Sequence, residues 1–367
     1  MPEKIQAPIN RTIIGALLLL EASEGTLMAS ISLLDELERN HLRALWAVAG
    51  QSLSDEPRAS EAACHWSWEL LKALANRSAS EVSMTDADRR VLILTNPASG
   101  RVPVSTGTLI AAIQVLNPGE IAEPHRHSIA AVRIITDHDG GITTVDSKKM
   151  PMVAGDLILT PPWSWHGHQN DSDRRSMWID VLDVPLVANL DGIFFQHPDD
   201  QSPKIKDARW DLQATWSAAG VIPAHLISPA NHLQKLRYPW AEVKAALNAL
   251  PLHSDSPQRI RYVNPIDGGP VMPTVDCYAM RLEAGRSTTP WRSTASTICF
   301  VVEGSGTSCI GDQRISWSQN DVFTVPNWRW TVHATDTDAA YLIQASNTDM
   351  LRKLGLLREE QGLDESP

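Results

Sequence analysis

The sequence predicts a mainly β protein: two related antiparallel β-barrels or sandwiches, with helices before the first and between the two. Two observations predict it. Turn-forming clusters punctuate short apolar runs from about 90 to 184: Asn96-Pro97, Asn117-Pro118-Gly119, Asp139-Gly140-Gly141, Ala154-Gly155-Asp156 and Asn170-Asp171. Turns at such intervals leave room for strands and little else. The same texture returns from Arg261 to about Ala345, and the two stretches repeat one another.

The repeat is legible residue by residue. Leu116-Asn117-Pro118-Gly119 answers to Leu282-Glu283-Ala284-Gly285, and His125-Arg126-His127 to Trp291-Arg292-Ser293. Gly140-Gly141 answers to Gly304-Ser305-Gly306, and Gly155-Asp156 to Asn320-Asp321. Pro161-Pro162-Trp163-Ser164-Trp165-His166 answers to Pro326-Asn327-Trp328-Arg329-Trp330-Thr331. The spans from His125 to His166 and from Trp291 to Thr331 differ by a single residue, and a shared Pro-x-Trp-x-Trp closes both. Internal duplication is the simplest account.

The flanking elements follow. Residues 1–29 read as an extension. A helical segment over 30–88 holds an amphipathic helix from Ser30 through Leu33, Leu34, Leu37, Leu42, Leu45 and Trp46. A second helix is predicted from Ser60 to Asn76. The first β domain spans 89–197, a linker with the helix Ala241–Leu247 spans 198–260, the second β domain spans 261–345, and 346–367 form a tail.

Composition narrows the function. Of 367 residues, 43% are hydrophobic and 20% charged, which is ordinary for a globular chain. The net charge of −11 argues against a nucleic-acid partner held by a general phosphate field. The 4 cysteines form no Cys-x-x-Cys pair, which suits a reducing, cytoplasmic setting. The apolar run Ile13–Leu20 is far shorter than the roughly 20 residues of a membrane span, and no small-residue cleavage site follows it. The 13 tryptophans outnumber Phe and Tyr and suggest bulky core packing.

Chemistry concentrates in the first repeat. In a strand, His125 and His127 present both rings on one face, and His166 and His168 do the same on a later strand. Imidazoles converging from two strands make an open site for a divalent transition metal. The alternative for any lone histidine is a satisfied core residue, but paired H-x-H spacing within a β repeat favours the metal. Ile110, Ala112 and Gln114 alternate along one predicted strand and share a face. Arg133 lies six residues after His127 and shares its face if that strand is not bulged.

Gly119-(five residues)-His125-x-His127 and Gly155-Asp156-(four residues)-Pro161-(four residues)-His166 resemble the two cupin signatures. No acid follows the H-x-H pair within Ser128–Arg133. With Arg261-Tyr262-Val263-Asn264-Pro265, Gly268-Gly269, Val271-Met272-Pro273-Thr274 and Trp178–Asp183, the chain resembles the gentisate/salicylate 1,2-dioxygenase family over roughly residues 30–355. That resemblance implies a bicupin of two double-stranded β-helix (jelly-roll) barrels. It implies iron(II) held by His125, His127 and His166, with His168, Arg133 and Asp180 as catalytic residues. Arg89, Gln114, Ala112, Ile110 and Arg133 would line the substrate site. It implies dioxygen and a small aromatic acid as partners, no membrane, and a homo-oligomer, usually a tetramer.

The expected reaction is ring cleavage between the carboxyl- and hydroxyl-bearing carbons of a 2-hydroxybenzoate. Relatives often carry a tryptophan where this chain has Ile110, so the smaller wall points to a bulkier 5-substituent, as in 5-nitrosalicylate or 5-chlorosalicylate. Gentisate is the alternative. A manganese bicupin decarboxylase would call for a glutamate ligand that Ala130–Arg133 does not supply, and a non-enzymatic ligand-binding cupin would not require an open histidine site beside an arginine. In the second repeat Trp291, Ser293 and Thr331 replace the ligands, and only His333 keeps a counterpart, His168. That barrel is expected to hold no metal.

Overall fold

The computed structural model describes residues 33–58, 61–99, 103–136, 140–202, 204, 207–211, 235–251, 258–265, 267–335 and 338–362. Residues 1–29 and the run Ile13–Leu20 lie outside them. The chain divides into two compact units, Met1–Arg58 and Ala59–Pro367. In the first unit, one helix covers 33–39 and another Leu45–Ser52. The continuous helix predicted through Trp46 is therefore broken. His41 sits in the left-handed region at φ 60°, and the turn closes by Leu42 N–H to Leu37 O at 2.7 Å.

The second unit contains both barrels. In the first, one sheet runs Arg237–Tyr238, Leu157–Thr160, Ala131–Ile135, Ser176–Leu182, Ile110–Leu116, Val91–Leu94. The facing sheet runs Phe195–Gln196, Ile121–His127, His166–Asn170, Gly141–Val145, Lys148–Met152, Arg209–Trp210. The second barrel repeats the plan. Its sheets run His65–Trp66, Val322–Val325, Thr297–Glu303, Ala340–Ser346, Asp276–Leu282, Gln258–Arg261, and Gln313–Trp317, Gly306–Ile310, Thr331–Ala334, Trp291–Ser293, Glu359–Gln361. The duplication read from the sequence is thus a duplication of topology.

One core packs between the barrels. Ala111, Ile113 and Val115 alternate into it with Val132, Ile134, Ile179 and Val181, and from the second barrel Cys277, Ala279, Ile343 and Ala345. A strand buried on both faces has no polar side, and Ile110–Leu116 is buried at every position. Ile110 and Ala112 are buried but lie outside that core, on the opposite face. Of the tryptophans, Trp178, Trp240, Trp317 and Trp328 are buried, whereas Trp46, Trp163, Trp210 and Trp330 are exposed, so bulky core packing explains only some of them.

The second predicted helix starts later than its pattern suggested. Residues 61–64 carry no helix, His65–Trp66 pairs with Phe323 and Val322, and the helix runs Trp68–Glu81. Ser67 is its cap, accepting from Leu70 N–H at 3.4 Å. Asp321 fixes the start, accepting from Trp68 N–H at 2.7 Å and from the His65 ring at 2.8 Å. Asp156 does the same for the helix Trp240–Ala249, accepting from Trp240 N–H at 2.8 Å. Gly155, at φ +82°, is required there, because a Cβ would lie 2.6 Å from Trp240 Cγ. Each barrel thus gains a short edge strand, while the helix that follows packs on the other barrel, Trp68–Glu81 against Ile110–Leu116 and Trp240–Ala249 against Gln258–Arg261 and Asp276–Leu282.

Candidate active site

The three histidines converge from two adjacent strands of one sheet. His125 pairs directly with His166, and a bulge between Ala122 and His125 re-aims the strand that carries it. All three rings are buried, and their ligand atoms lie within 4.8 Å of one another. Among the described residues no other group of His, Cys, Asp or Glu is so placed.

Two backbone contacts fix how these rings bind. His127 Nδ1 lies 2.9 Å from Ile129 O, and His166 Nδ1 lies 2.9 Å from Ser164 O. A carbonyl only accepts, so each Nδ1 carries the proton and each Nε2 lone pair faces inward. Burial pushes the pKa of His125 and His127 down and that of His166 far down, with the charges of neighbouring groups adding to the effect. Three neutral imidazoles, two of them held in this way, fit a divalent transition metal and leave coordination positions free.

Arg133 reaches the site by a route other than the predicted one. His127 and Arg133 lie on separate strands of opposing sheets, Ile121–His127 and Ala131–Ile135, so the count along one strand does not apply. Register across the other sheet places it instead: Arg133 lies opposite Asp180, and Asp180 opposite Ala112. Arg133 Nε is 2.9 Å from Asp180 Oδ1, an ion pair off the line of an ideal hydrogen bond. Its Nη1 approaches Thr143 Oγ1 and His168 Nδ1 at 3.2 Å each, and its guanidinium stacks on Trp178 at 5.1 Å.

Asp180 orients Arg133, not His168, and takes its second contact from Trp178 Nε1–H at 2.9 Å. Burial raises its carboxyl pKa, and Arg133 opposes that rise. Because arginine can only donate, His168 Nδ1 is an acceptor, and its proton sits on Nε2. Burial, then Arg133, push the pKa of His168 well down, so it is neutral.

Ile110, Ala112 and Gln114 share the Asp180 face, and the buried Gln114 Nε2 has no hydrogen-bond partner among the described residues. Arg89 is paired with Asp88, and its Nη2 approaches Glu123 O at 3.5 Å. Its guanidinium lies 5.6 Å from the ring of Phe195. Phe195 was not predicted. It stacks on His125 at 5.1 Å and 21°, and pairs with His127 across the sheet edge. Only its place in a turn-poor stretch after the first repeat could have pointed to it.

Arg126, between the two histidines, faces outward. It stacks on Trp163 at 4.3 Å and Trp165 at 4.8 Å and donates to Gln196 Oε1 at 2.8 Å. Arg292 stacks likewise on Trp328 at 4.2 Å and Trp330 at 4.7 Å. Trp163 and Trp328 both sit at positive φ, 63° and 57°, each held by an N–H to the strand beside it. The paired Trp-x-Trp motifs are therefore clamps on the H-x-H strand and its counterpart.

Such a double barrel, with one imidazole centre and its counterpart positions filled by Trp291, Ser293 and Thr331, defines a bicupin with a single metal-competent barrel. Residues 112–182 match the cupin domain family. Gentisate 1,2-dioxygenase 1 of Aquipseudomonas alcaligenes is 33% identical over 89% of this chain and 94% of its own. The 5-aminosalicylate 1,2-dioxygenase of a Comamonas species is 32% identical over 89% of this chain and 88% of its own. Salicylate 1,2-dioxygenase of Pseudoaminobacter salicylatoxidans, solved with gentisate, superposes with a TM-score of 0.85 at 29% identity, covering 95% and 97% of the two chains. The chain belongs to the gentisate/salicylate 1,2-dioxygenase family of ring-cleaving enzymes.

Proposed function

We propose that this enzyme uses iron(II) and dioxygen to open the ring of a 2-hydroxybenzoate between its carboxyl- and hydroxyl-bearing carbons. The substrate is a salicylate with a substituent at ring position 5. The observation that carries the reading is the pairing of three neutral imidazoles with a buried arginine and no acidic ligand. His125, His127 and His166 would hold the metal, which supplies a Lewis-acid site where the substrate's carboxylate and phenolate and dioxygen meet.

The protein's own residues do the rest. Three uncharged ligands leave the site cationic, which favours a chelating dianion over neutral phenols. Arg133, fixed by Asp180, Thr143 and Trp178, keeps its Nη2 edge without a partner among the described residues and offers it to the substrate carboxylate. Arg89 adds a second positive charge on the Phe195 side. His168 presents Nε2–H as a hydrogen-bond donor to an oxygen of the bound substrate. Gln114 lends its unpartnered amide. Ile110 and Ala112 form the apolar wall, and their size leaves room at the far edge of the ring.

Relatives named for gentisate and for 5-aminosalicylate support hydroxyl and amino at that position as well as nitro or chloro, and gentisate is the alternative substrate. Parallel turnover of salicylate, gentisate, 5-aminosalicylate, 5-nitrosalicylate and 5-chlorosalicylate by iron-loaded enzyme tests the reading. Any 5-substituted salicylate should exceed salicylate itself in kcat/KM. Oxygen uptake with none of them would overturn the assignment.

A further inference from the structure

The interior of the second barrel holds polar groups that ring cleavage does not use. Tyr278 and Cys299 both lie opposite Gln344, and Arg259 opposite Met280. All four side chains therefore share the sheet face that carries Met280, Leu282, Val301 and Leu342 into the barrel. His333 enters from the facing sheet, opposite Ser308.

Three polar atoms in this interior are shielded from solvent and have no hydrogen-bond partner among the described residues: Arg259 Nε, His333 Nε2 and Gln344 Oε1. His333 and Gln344 are 0% and 1% exposed. Their chemistry can be worked out from their neighbours. Trp317 Nε1 can only donate, and it donates to Ser308 Oγ at 2.8 Å. The Ser308 proton therefore goes to His333 Nδ1, at 2.7 Å, which leaves the ring proton on Nε2. His333 is neutral, pushed down to about 4 by burial and then by the charge of Arg259. The barrel thus presents one N–H donor from His333, one from Arg259 and one acceptor from Gln344.

Arg259 has no ion pair among the described residues. Its guanidinium stacks on Tyr278 at 3.8 Å. Two acids act on it from a distance: Glu359, which is exposed, and Asp276, which is held by Arg261 at 2.9 Å and by Asp349 N–H. The first barrel shows what is missing. At the positions of His333, Gln344 and Cys299 it has His168, Asp180 and Arg133, and there the aspartate neutralises the arginine. In the second barrel the carboxylate has become an amide and the cation enters from a different strand. Cys299 also leaves the room that a guanidinium fills in the first barrel.

A half-buried cation whose Nε is shielded from solvent, beside two fully buried unpartnered groups, is costly unless something pairs with them. We infer that the second barrel binds a small monovalent oxyanion, of bicarbonate or formate size, between Arg259, His333 and Gln344. Two of its oxygens accept from Arg259 Nε–H and His333 Nε2–H. An O–H, which bicarbonate has and formate lacks, would donate to Gln344 Oε1. The apolar bulk of Phe323, Trp317 and Leu342 excludes larger ligands.

The test uses the full-length, metal-loaded protein. Thermal unfolding is followed in sodium bicarbonate, in sodium formate and in sodium chloride at matched pH and ionic strength, for wild type and for Arg259→Leu. The wild-type midpoint should rise with either oxyanion, more with bicarbonate, and Arg259→Leu should weaken the apparent affinity by about 100-fold, because a ligand that binds only the folded state stabilises it by mass action. Ring-cleaving turnover of the variant should be unchanged. Crystals of the wild type soaked in bicarbonate should show a planar group within hydrogen-bond reach of Arg259 and His333, which decides the matter even if the variant fails to fold. Only a water at that position, or equal midpoint shifts in both proteins, refutes the site.

Discussion

Arg133 Nη1 lies 3.2 Å from His168 Nδ1, and that single contact sets the tautomer of the ring. The same guanidinium is held by Asp180 on its Nε side. One arginine therefore settles both where positive charge sits and which nitrogen of His168 carries its proton. Lysine can supply the charge but not the fork. Arg133→Lys should keep its metal yet lose about 100-fold in kcat/KM, on the order of 2.7 kcal/mol. Metal analysis alongside steady-state kinetics checks both halves; unchanged efficiency sinks the role.

His127→Ala should lose bound metal and all measurable oxygen uptake while the circular dichroism of the barrels persists. Two remaining imidazoles do not make the three-ligand site. Retention of one metal per chain in this variant would contradict the assignment of the centre.

The clamps can be separated. Arg126→Met should lower the thermal midpoint and speed metal loss, since the residue between two ligands gives up stacking worth about 0.5–2 kcal/mol. Arg292→Met should lower the midpoint by a similar amount and leave metal retention untouched. Equal effects on metal from both variants would show that the first clamp has no special tie to the ligand strand.

His333 gives an acid-sensitivity test outside the metal centre. Its pKa in the folded protein, about 4, is below the ordinary 6.5, so its contribution to stability is complete above 6.5 and is lost as pH falls towards 4. In that window metal-free wild type should lose stability more steeply than His333→Gln, by about 1.4 kcal/mol per pH unit. Parallel slopes in denaturant titrations at several pH values would mean that the ring is not held neutral.

Ile110→Trp should narrow the far edge of the pocket. Turnover of 5-substituted salicylates should fall by roughly 10-fold or more relative to salicylate, because overpacking a buried wall costs about 1–3 kcal/mol. A uniform loss across all substrates would place Ile110 away from position 5.

The barrel repeat and the histidine triad were legible because period-2 spacing and turn residues are local signals. Arg133 was found for the wrong reason: its position depends on pairing with Asp180 in another strand, which no count along one strand can supply. The true start of the Trp68–Glu81 helix was hidden because Asp321, far along the chain, specifies it. Phe195 escaped for the same reason, since its place is set by an edge pairing with His127. The clamps were visible as Trp-x-Trp repeats, but their partner arginines emerged only in three dimensions.

The arms that complete the two barrels are exchanged along the chain. The strand His65–Trp66 finishes the edge of the second barrel, although the helix behind it packs on the first, while Arg237–Tyr238 finishes the first. His65 and Asp321 are separated by 256 residues. During synthesis, the first barrel can gain its last edge strand once Arg237–Tyr238 has emerged. The strand His65–Trp66 has no pairing edge until Val322–Val325 has been made, and its capture costs the entropy of closing a long loop. Completion of the second barrel is therefore the step that ties a strand made before the first barrel to one made late in the second.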